Sequence, residues 1–161
     1  MNKLTCFKAY DIRGIINETL NPKIAYAIGQ AFGSQMRDLN ETEVVVGRDG
    51  RLSVPQLIEA LSKGLLSTGI NVIDLGMVAT PMVYFAANQT LGTSQPKSGI
   101  MITGSHNPPN YNGFKMVLGG SAIYGDQIQG LRKQIEREDF RQGVGKLSTF
   151  NIFPQYLKYI V

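Results

Sequence analysis

The residues that could do chemistry gather in one stretch, Thr103-Gly104-Ser105-His106-Asn107-Pro108-Pro109-Asn110-Tyr111-Asn112-Gly113-Phe114-Lys115, which holds the chain's only histidine. It follows a β-rich run, the place where open α/β sheets put their ligands. Gly104 permits a backbone geometry that a side chain would block. Pro108 and Pro109 stiffen the return path and bias Asn107 toward extended conformations. Asn112-Gly113 reads as a turn signal. A loop this stiff can hold Ser105 in one place. Lys115, ten residues on, returns at the start of the next strand to face the same cleft. Serine carries phosphate well when an anion site stabilises the transferred group. Loop amides and Lys115 supply such a site as a nest plus a point charge. The segment therefore points to phosphate handling. The plainer alternative is a turn with an incidental serine and histidine.

Rival motifs fail on their own terms. A G-x-S-x-G elbow needs glycine at 103 and 107, where Thr103 and Asn107 stand. Gly99 and Gly104 have P-loop glycine spacing, but Ser105 and His106 occupy the Lys and Ser/Thr positions. No G-x-G-x-x-G follows a strand and no D-x-D pair exists for a divalent metal; one Cys and one His cannot make a metal spacing. Two further segments can join the site. In Tyr10-Asp11-Ile12-Arg13-Gly14, Arg13 can reach a phosphate bidentately, or it is a surface arginine paired with Asp11. Gly47-Arg48-Asp49-Gly50-Arg51 can contact ligand, although a structural turn with local ion pairs is the reading these residues favour.

The elements that must position these groups alternate in type. Asn21-Pro22 is an N-cap followed by proline at N1. Ile24, Ala27, Ile28, Ala31, Phe32 and Met36 then recur at helical spacing to near Leu39. Residues 43–47 are a β-branched strand. Ser53 caps a second helix with Leu57, Ile58, Leu61 and Leu65 on its apolar face and Gly69 as its stop. Residues 71–76 are a strand, and Thr80-Pro81 opens a helix to Leu91-Gly92. Strands at 98–103 and 113–118 follow, joined by the serine loop as antiparallel neighbours. A helix spans 126–138. A strand at 148–152 leads into a helix from Phe153 that stops on two apolar residues. Crossover helices imply a parallel sheet, so the predicted fold is α/β, a mixed, largely parallel four-stranded sheet packed between helices.

Composition bounds the rest. The chain has 161 residues, enough for one domain with a real core. Hydrophobic residues make 43% of it and charged residues 17%, which excludes the signature of disorder. The net charge of +4, from 16 Lys+Arg against 12 Asp+Glu, is mild and dispersed. With no tryptophan and no basic stripe, nucleic-acid binding is not predicted. No apolar run approaches the ~20 residues of a membrane span. The first ten residues lack a signal-peptide core, and the single Cys6 cannot form an internal disulfide. The reading is a cytoplasmic domain without membrane or nucleic-acid partners.

These residues resemble a known family. Thr103-Gly104-Ser105-His106-Asn107-Pro108 is similar to the active-site serine loop of the α-D-phosphohexomutases, and Phe7-Lys8-Ala9-Tyr10-Asp11-Ile12-Arg13-Gly14 resembles their amino-terminal motif. Val46-Gly47-Arg48-Asp49-Gly50-Arg51, Gly76-Met77-Val78-Ala79-Thr80-Pro81 and Asn112-Gly113-Phe114-Lys115 match in order and spacing. Within the family the similarity is to the bacterial phosphomannomutase/phosphoglucomutase group.

The resemblance implies domain 1 of a four-domain enzyme, with residues 1–152 as that domain and 153–161 as the start of the connection to a missing domain 2. It implies that Ser105 carries a phosphoryl group, donates it to a hexose phosphate and recovers one from the bisphosphorylated sugar. Mannose and glucose phosphates are the implied substrates. His106 would assist proton transfer, and Lys115 and Arg13 would stabilise the phosphoryl group. Tyr10 and Asn107 would line the substrate cleft. The implied cofactors are Mg²⁺, bound through a Ser105 phosphate oxygen, and glucose 1,6-bisphosphate as activator. The family's other metal ligands, sugar loop and phosphate clamp belong to domains 2–4, so this chain alone is predicted not to turn over substrate. A stand-alone phosphosugar-binding module and a structural fragment reusing the fold are the competing readings.

Overall fold

The computed structural model describes residues 4–8, 11–51, 54–104 and 107–161. Short β-branched runs alternate with amphipathic helices, and each run must bury both faces. Among the described residues this builds seven strands: β1 (Ile12–Ile15), β2 (Glu43–Arg48), β3 (Asn71–Met77), β4 (Ser98–Ile102), β5 (Tyr111–Leu118), β6 (Ser121–Ala122) and β7 (Leu147–Thr149). Five helices accompany them: α1 (Pro22–Asp38), α2 (Val54–Leu66), α3 (Thr80–Ala86), α4 (Asp126–Glu136) and α5 (Phe153–Ile160). The strand order is β1-β5-β4-β2-β3-β7, with β6 on β5. The pairs β4–β2, β2–β3 and β3–β7 are parallel, and those of β5 with β4, β1 and β6 are antiparallel.

Strand side chains alternate between faces, and this divides the interior in two. Val44, Val46, Val72, Ile100, Ile102, Phe114 and Met116 face a large core closed by α1, α2 and α4. Val45, Ile73 and Met101 face a smaller one closed by α3, which also takes in Ile152. All five residues of β4 are buried, as a central strand covered on both sides requires. The Asn21 side chain accepts the Ile24 N–H at 2.9 Å and starts α1.

The sheet is thus mixed and lies between helices, and it is wider than the four strands predicted: the strand read at 148–152 joins it as β7 on β3, and β1 and β6 are strands the sequence did not signal. β1 is four residues long and carries a glycine, so its own sequence signals little; pairing with β5 makes it a strand. β6 and β7 are also short. β7 ends at Thr149, because the chain then turns Ile152 into the smaller core. Asn112-Gly113 is not a turn: both residues lie inside β5. Gly113 pairs with Arg13, and a Cβ there would stand 2.3 Å from the Ile12 carbonyl oxygen. α3 stops at Ala86, short of the predicted Leu91. Leu91 and Ser94 instead bond each other's backbone at 2.7 and 2.9 Å. α4 likewise ends at Glu136, ahead of Glu138 at φ +52°. Gly69 takes the left-handed φ of +92° that its stop position favours. Ser53, read as the α2 cap, lies outside the described residues.

Candidate active site

β2 and β4 run parallel and end level, Arg48 beside Ile102. The segment 49–51 leaves β2 and the loop 103–110 leaves β4 at the same edge of the sheet. β5 brings the chain back, and β1 joins it there with Ile12 opposite Phe114.

Asp49 and Arg51 hold the described part of that loop. The Gly104 N–H donates to Asp49 Oδ2 at 2.8 Å. Arg51 donates through Nη2 to the Asn107 carbonyl at 2.7 Å and through Nη1 to the Tyr111 carbonyl at 3.2 Å and to the Pro108 carbonyl. The two side chains meet at 3.6 Å, and Asp49 Oδ1 accepts the Arg51 backbone N–H at 3.1 Å. Further bonds run from Asn107 N–H to the Gly104 carbonyl (3.0 Å), from Tyr111 N–H to the Pro108 carbonyl (2.9 Å) and from Thr103 N–H to the Gly113 carbonyl (3.0 Å). The Asn107 amide donates to the Gly104 carbonyl at 3.1 Å, so this side chain helps shape the loop itself. Gly104 does not need a left-handed φ, since it is absent from the positive-φ glycines. A Cβ there would lie 2.0 Å from the Arg51 guanidinium, so a side chain at 104 would have to displace Arg51.

Two cations stand beside the loop. Arg13 pairs with Gly113 across β1 and β5, and Lys115 lies two residues further along β5. Ile12 and Phe114 face the large core, so Arg13 and Lys115 project from the opposite face. Lys115 there neighbours Met101 of the smaller core. α3 packs chiefly on β2 and β4 on that side, which leaves the strip of β5 and β1 bearing the two cations beside it. Asp11 Oδ1 lies 3.2 Å from Arg13 Nε. The contact is ionic without hydrogen-bond alignment, since this buried oxygen has no hydrogen-bond partner. Burial and then the Asp11 charge push the Tyr84 hydroxyl of α3 above the usual tyrosine range.

Arg13, Asn107 and Lys115 are therefore gathered at one sheet edge. Ser105, His106 and Tyr10 lie outside the described residues. Of the reading of 47–51 as a turn with a local ion pair, the Asp49–Arg51 contact meets the ion pair, but Gly47 and Arg48 are the last residues of β2, held there by pairing with β3 and β4, so only 49–51 lie outside the strand. What the residues alone did not signal is the reach of that pair to a loop 55 to 60 positions away. Asp11–Arg13, also weighed as a pair, is one. Among the described residues no group of three or more His, Cys, Asp or Glu side chains could hold a metal ion. These described side chains by themselves make no Mg²⁺ site. No helix among them is long and apolar enough to cross a membrane.

Fold and site together define an α/β domain with a polar, cation-flanked loop at the carboxyl edge of its sheet. Residues 4–142 match the family described as phosphoglucomutase/phosphomannomutase, alpha/beta/alpha domain I, and the chain belongs to that family. It is 51% identical over 154 residues to a phosphomannomutase/phosphoglucomutase of Pseudomonas aeruginosa, covering 96% of this chain and 32% of that protein. A phosphoglucomutase of Neisseria meningitidis is 49% identical over 156 residues, covering 96% and 33%. A crystal structure of a phosphoglucomutase/phosphomannomutase family protein from Burkholderia thailandensis superposes with a TM-score of 0.96 at 52% identity, over 99% of this chain and 36% of that one. The chain spans about a third of the length of the curated relatives it matches.

Proposed function

We propose that the chain is the phosphoserine-bearing domain of a phosphohexomutase that interconverts hexose 1-phosphate and hexose 6-phosphate. The observation that carries this reading is the loop on either side of Ser105, held at the sheet edge beside the two cations Arg13 and Lys115. A phosphorylated Ser105 transfers its phosphoryl group to a free hydroxyl of the bound hexose phosphate. The bond from phosphorus to Ser105 Oγ breaks, a bond to the sugar oxygen forms, and the hydroxyl proton leaves with His106 assisting. The bisphosphorylated sugar reorients and returns its other phosphoryl group to Ser105. Arg13 and Lys115 offset the negative charge of the group in flight. Tyr10 and Asn107 are assigned to substrate binding. Residues 1–152 form this domain and 153–161 begin the connection to further domains, which supply the metal ligands, the sugar contacts and the phosphate clamp. Mannose and glucose phosphates are the substrates and the compartment is the cytoplasm.

The test is intact-mass spectrometry of the full-length polypeptide after incubation with Mg²⁺ and glucose 1,6-bisphosphate. A species ~80 Da heavier, mapped to Ser105, is expected, and Ser105→Ala abolishes it together with turnover. A Ser105→Ala protein that still interconverts the two sugar phosphates overturns the carrier role. Tight hexose-phosphate binding with no phosphoserine favours a binding module instead. The isolated 161-residue chain is expected to show no mutase turnover above its own Ser105→Ala control.

A further inference from the structure

The feature that the proposed chemistry leaves unexplained is the buried side of the Ser105 loop. We propose that Arg51, supported by Asp49, is a positioning residue that sets the geometry in which Ser105 gives and takes its phosphoryl group. The inference rests on the reading of Ser105 as the carrier, and it adds a residue that touches neither substrate nor phosphoryl group.

A loop outside the strand ladder must satisfy its backbone groups elsewhere. Here the segment that follows β2 does so from another part of the chain. The Arg51 guanidinium bonds the carbonyls of Asn107, Pro108 and Tyr111, and Asp49 takes the Gly104 N–H. The pair therefore grips both flanks of Ser105. The Arg51 side chain is only 18% exposed, and these contacts turn its guanidinium toward the loop backbone. It is planar and presents its donors in a fixed fork, so bonding to several carbonyls fixes the loop's orientation as well as its distance. A lysine would bring one ammonium on a flexible stem and cannot span the same set. Gly104 completes the device: any side chain there would occupy the space of the guanidinium. Glycine at 104 and arginine at 51 are thus one structural choice made at two positions.

Hydrogen exchange on the 161-residue chain tests the grip without any appeal to activity. In Arg51→Ala the amides of 103–111 should exchange about tenfold faster or more, while those of β4 keep their protection. Arg51→Lys should behave like Arg51→Ala. Gly104→Ala should loosen the same amides by displacing Arg51, and the double variant should be no looser than either single one. Unchanged exchange, an equal rise through β4, or additive effects in the double variant would overturn the proposal. Positioning is then read from kinetics of the full-length polypeptide. Arg51→Ala should lower kcat about 100-fold, the scale of a 1 Å misplacement, with KM moved by less than about threefold. A loss carried by KM at unchanged kcat would make Arg51 a substrate ligand and overturn the positioning role. An active Ser105→Ala protein would instead remove the carrier reading and leave the exchange result standing.

Discussion

At the residue scale, burial decides what a side chain can do. Cys6 is fully buried, and burial, only partly opposed by a backbone hydrogen bond and Lys8, pushes its thiol up to about 11 from an unperturbed 9.0. A raised thiol favours the protonated native state. Between about pH 9 and 11 the unfolded chain gives up a proton that the folded chain keeps, so stability falls as pH rises through that window. Below it this group adds no pH dependence. The full loss is about 3 kcal/mol at 1.4 kcal/mol per pH unit. Urea unfolding from pH 8 to 10.5 should therefore decline more steeply for the wild type than for Cys6→Ala, and parallel curves would refute the assignment. Arg13 teaches the same lesson in reverse. Its sequence left open a ligand-binding role or a pair with Asp11; the side chain stays 48% exposed with Asp11 at 3.2 Å, so pairing has not withdrawn it from the sheet face.

At the scale of elements, helices were the most legible part of the sequence. The Asn21-Pro22 start and the apolar period of α1 mark its span closely, because cap and period are local properties. Local signals did not mark how α1 meets α2. Gly29 and Gly64 sit at their crossing: a Cβ on Gly64 would lie 2.1 Å from the Tyr26 carbonyl oxygen, and one on Gly29 would lie 2.4 Å from that of Leu61. Helix propensity alone predicts that Gly64→Ala stabilises by roughly 1 kcal/mol. The crossing predicts the opposite sign, a loss of about 1–3 kcal/mol as the helices are forced apart. Equilibrium unfolding in urea separates the two, since the sign itself is the result. β1 shows the complementary limit. Four residues with an internal glycine carry almost no strand signal, and only the open edge of β5 makes them one. The same pairing draws Asn112-Gly113, a turn signal when read locally, into the middle of a strand.

At the scale of the molecule, α5 is the one described helix with no buried residue of its own. It is held by Tyr156 and Tyr159 against Phe85 of α3, at ring separations of 5.4 and 4.8 Å, and by Gln155 donating to the Thr90 carbonyl at 3.1 Å. Aromatic pairs of this kind contribute about 0.5–1.5 kcal/mol each beyond their buried area. Phe85→Ala should release α5 without unfolding the sheet. Limited proteolysis should then cut within 150–157 several times faster while the thermal transition of the remainder persists, and an unchanged cleavage rate would show that the aromatic contact is not what holds the helix. By itself the sequence determined the helix periods, the central strands and the mixed α/β class. These depend on spacing and residue type over a few neighbours. Only the tertiary structure decided the edge strand β1, the pairing of β7 onto β3, the face shared by Arg13 and Lys115, and the Asp49–Arg51 grip on the loop. Each of those joins residues dozens of positions apart, and such contacts are set by packing geometry that no local pattern encodes.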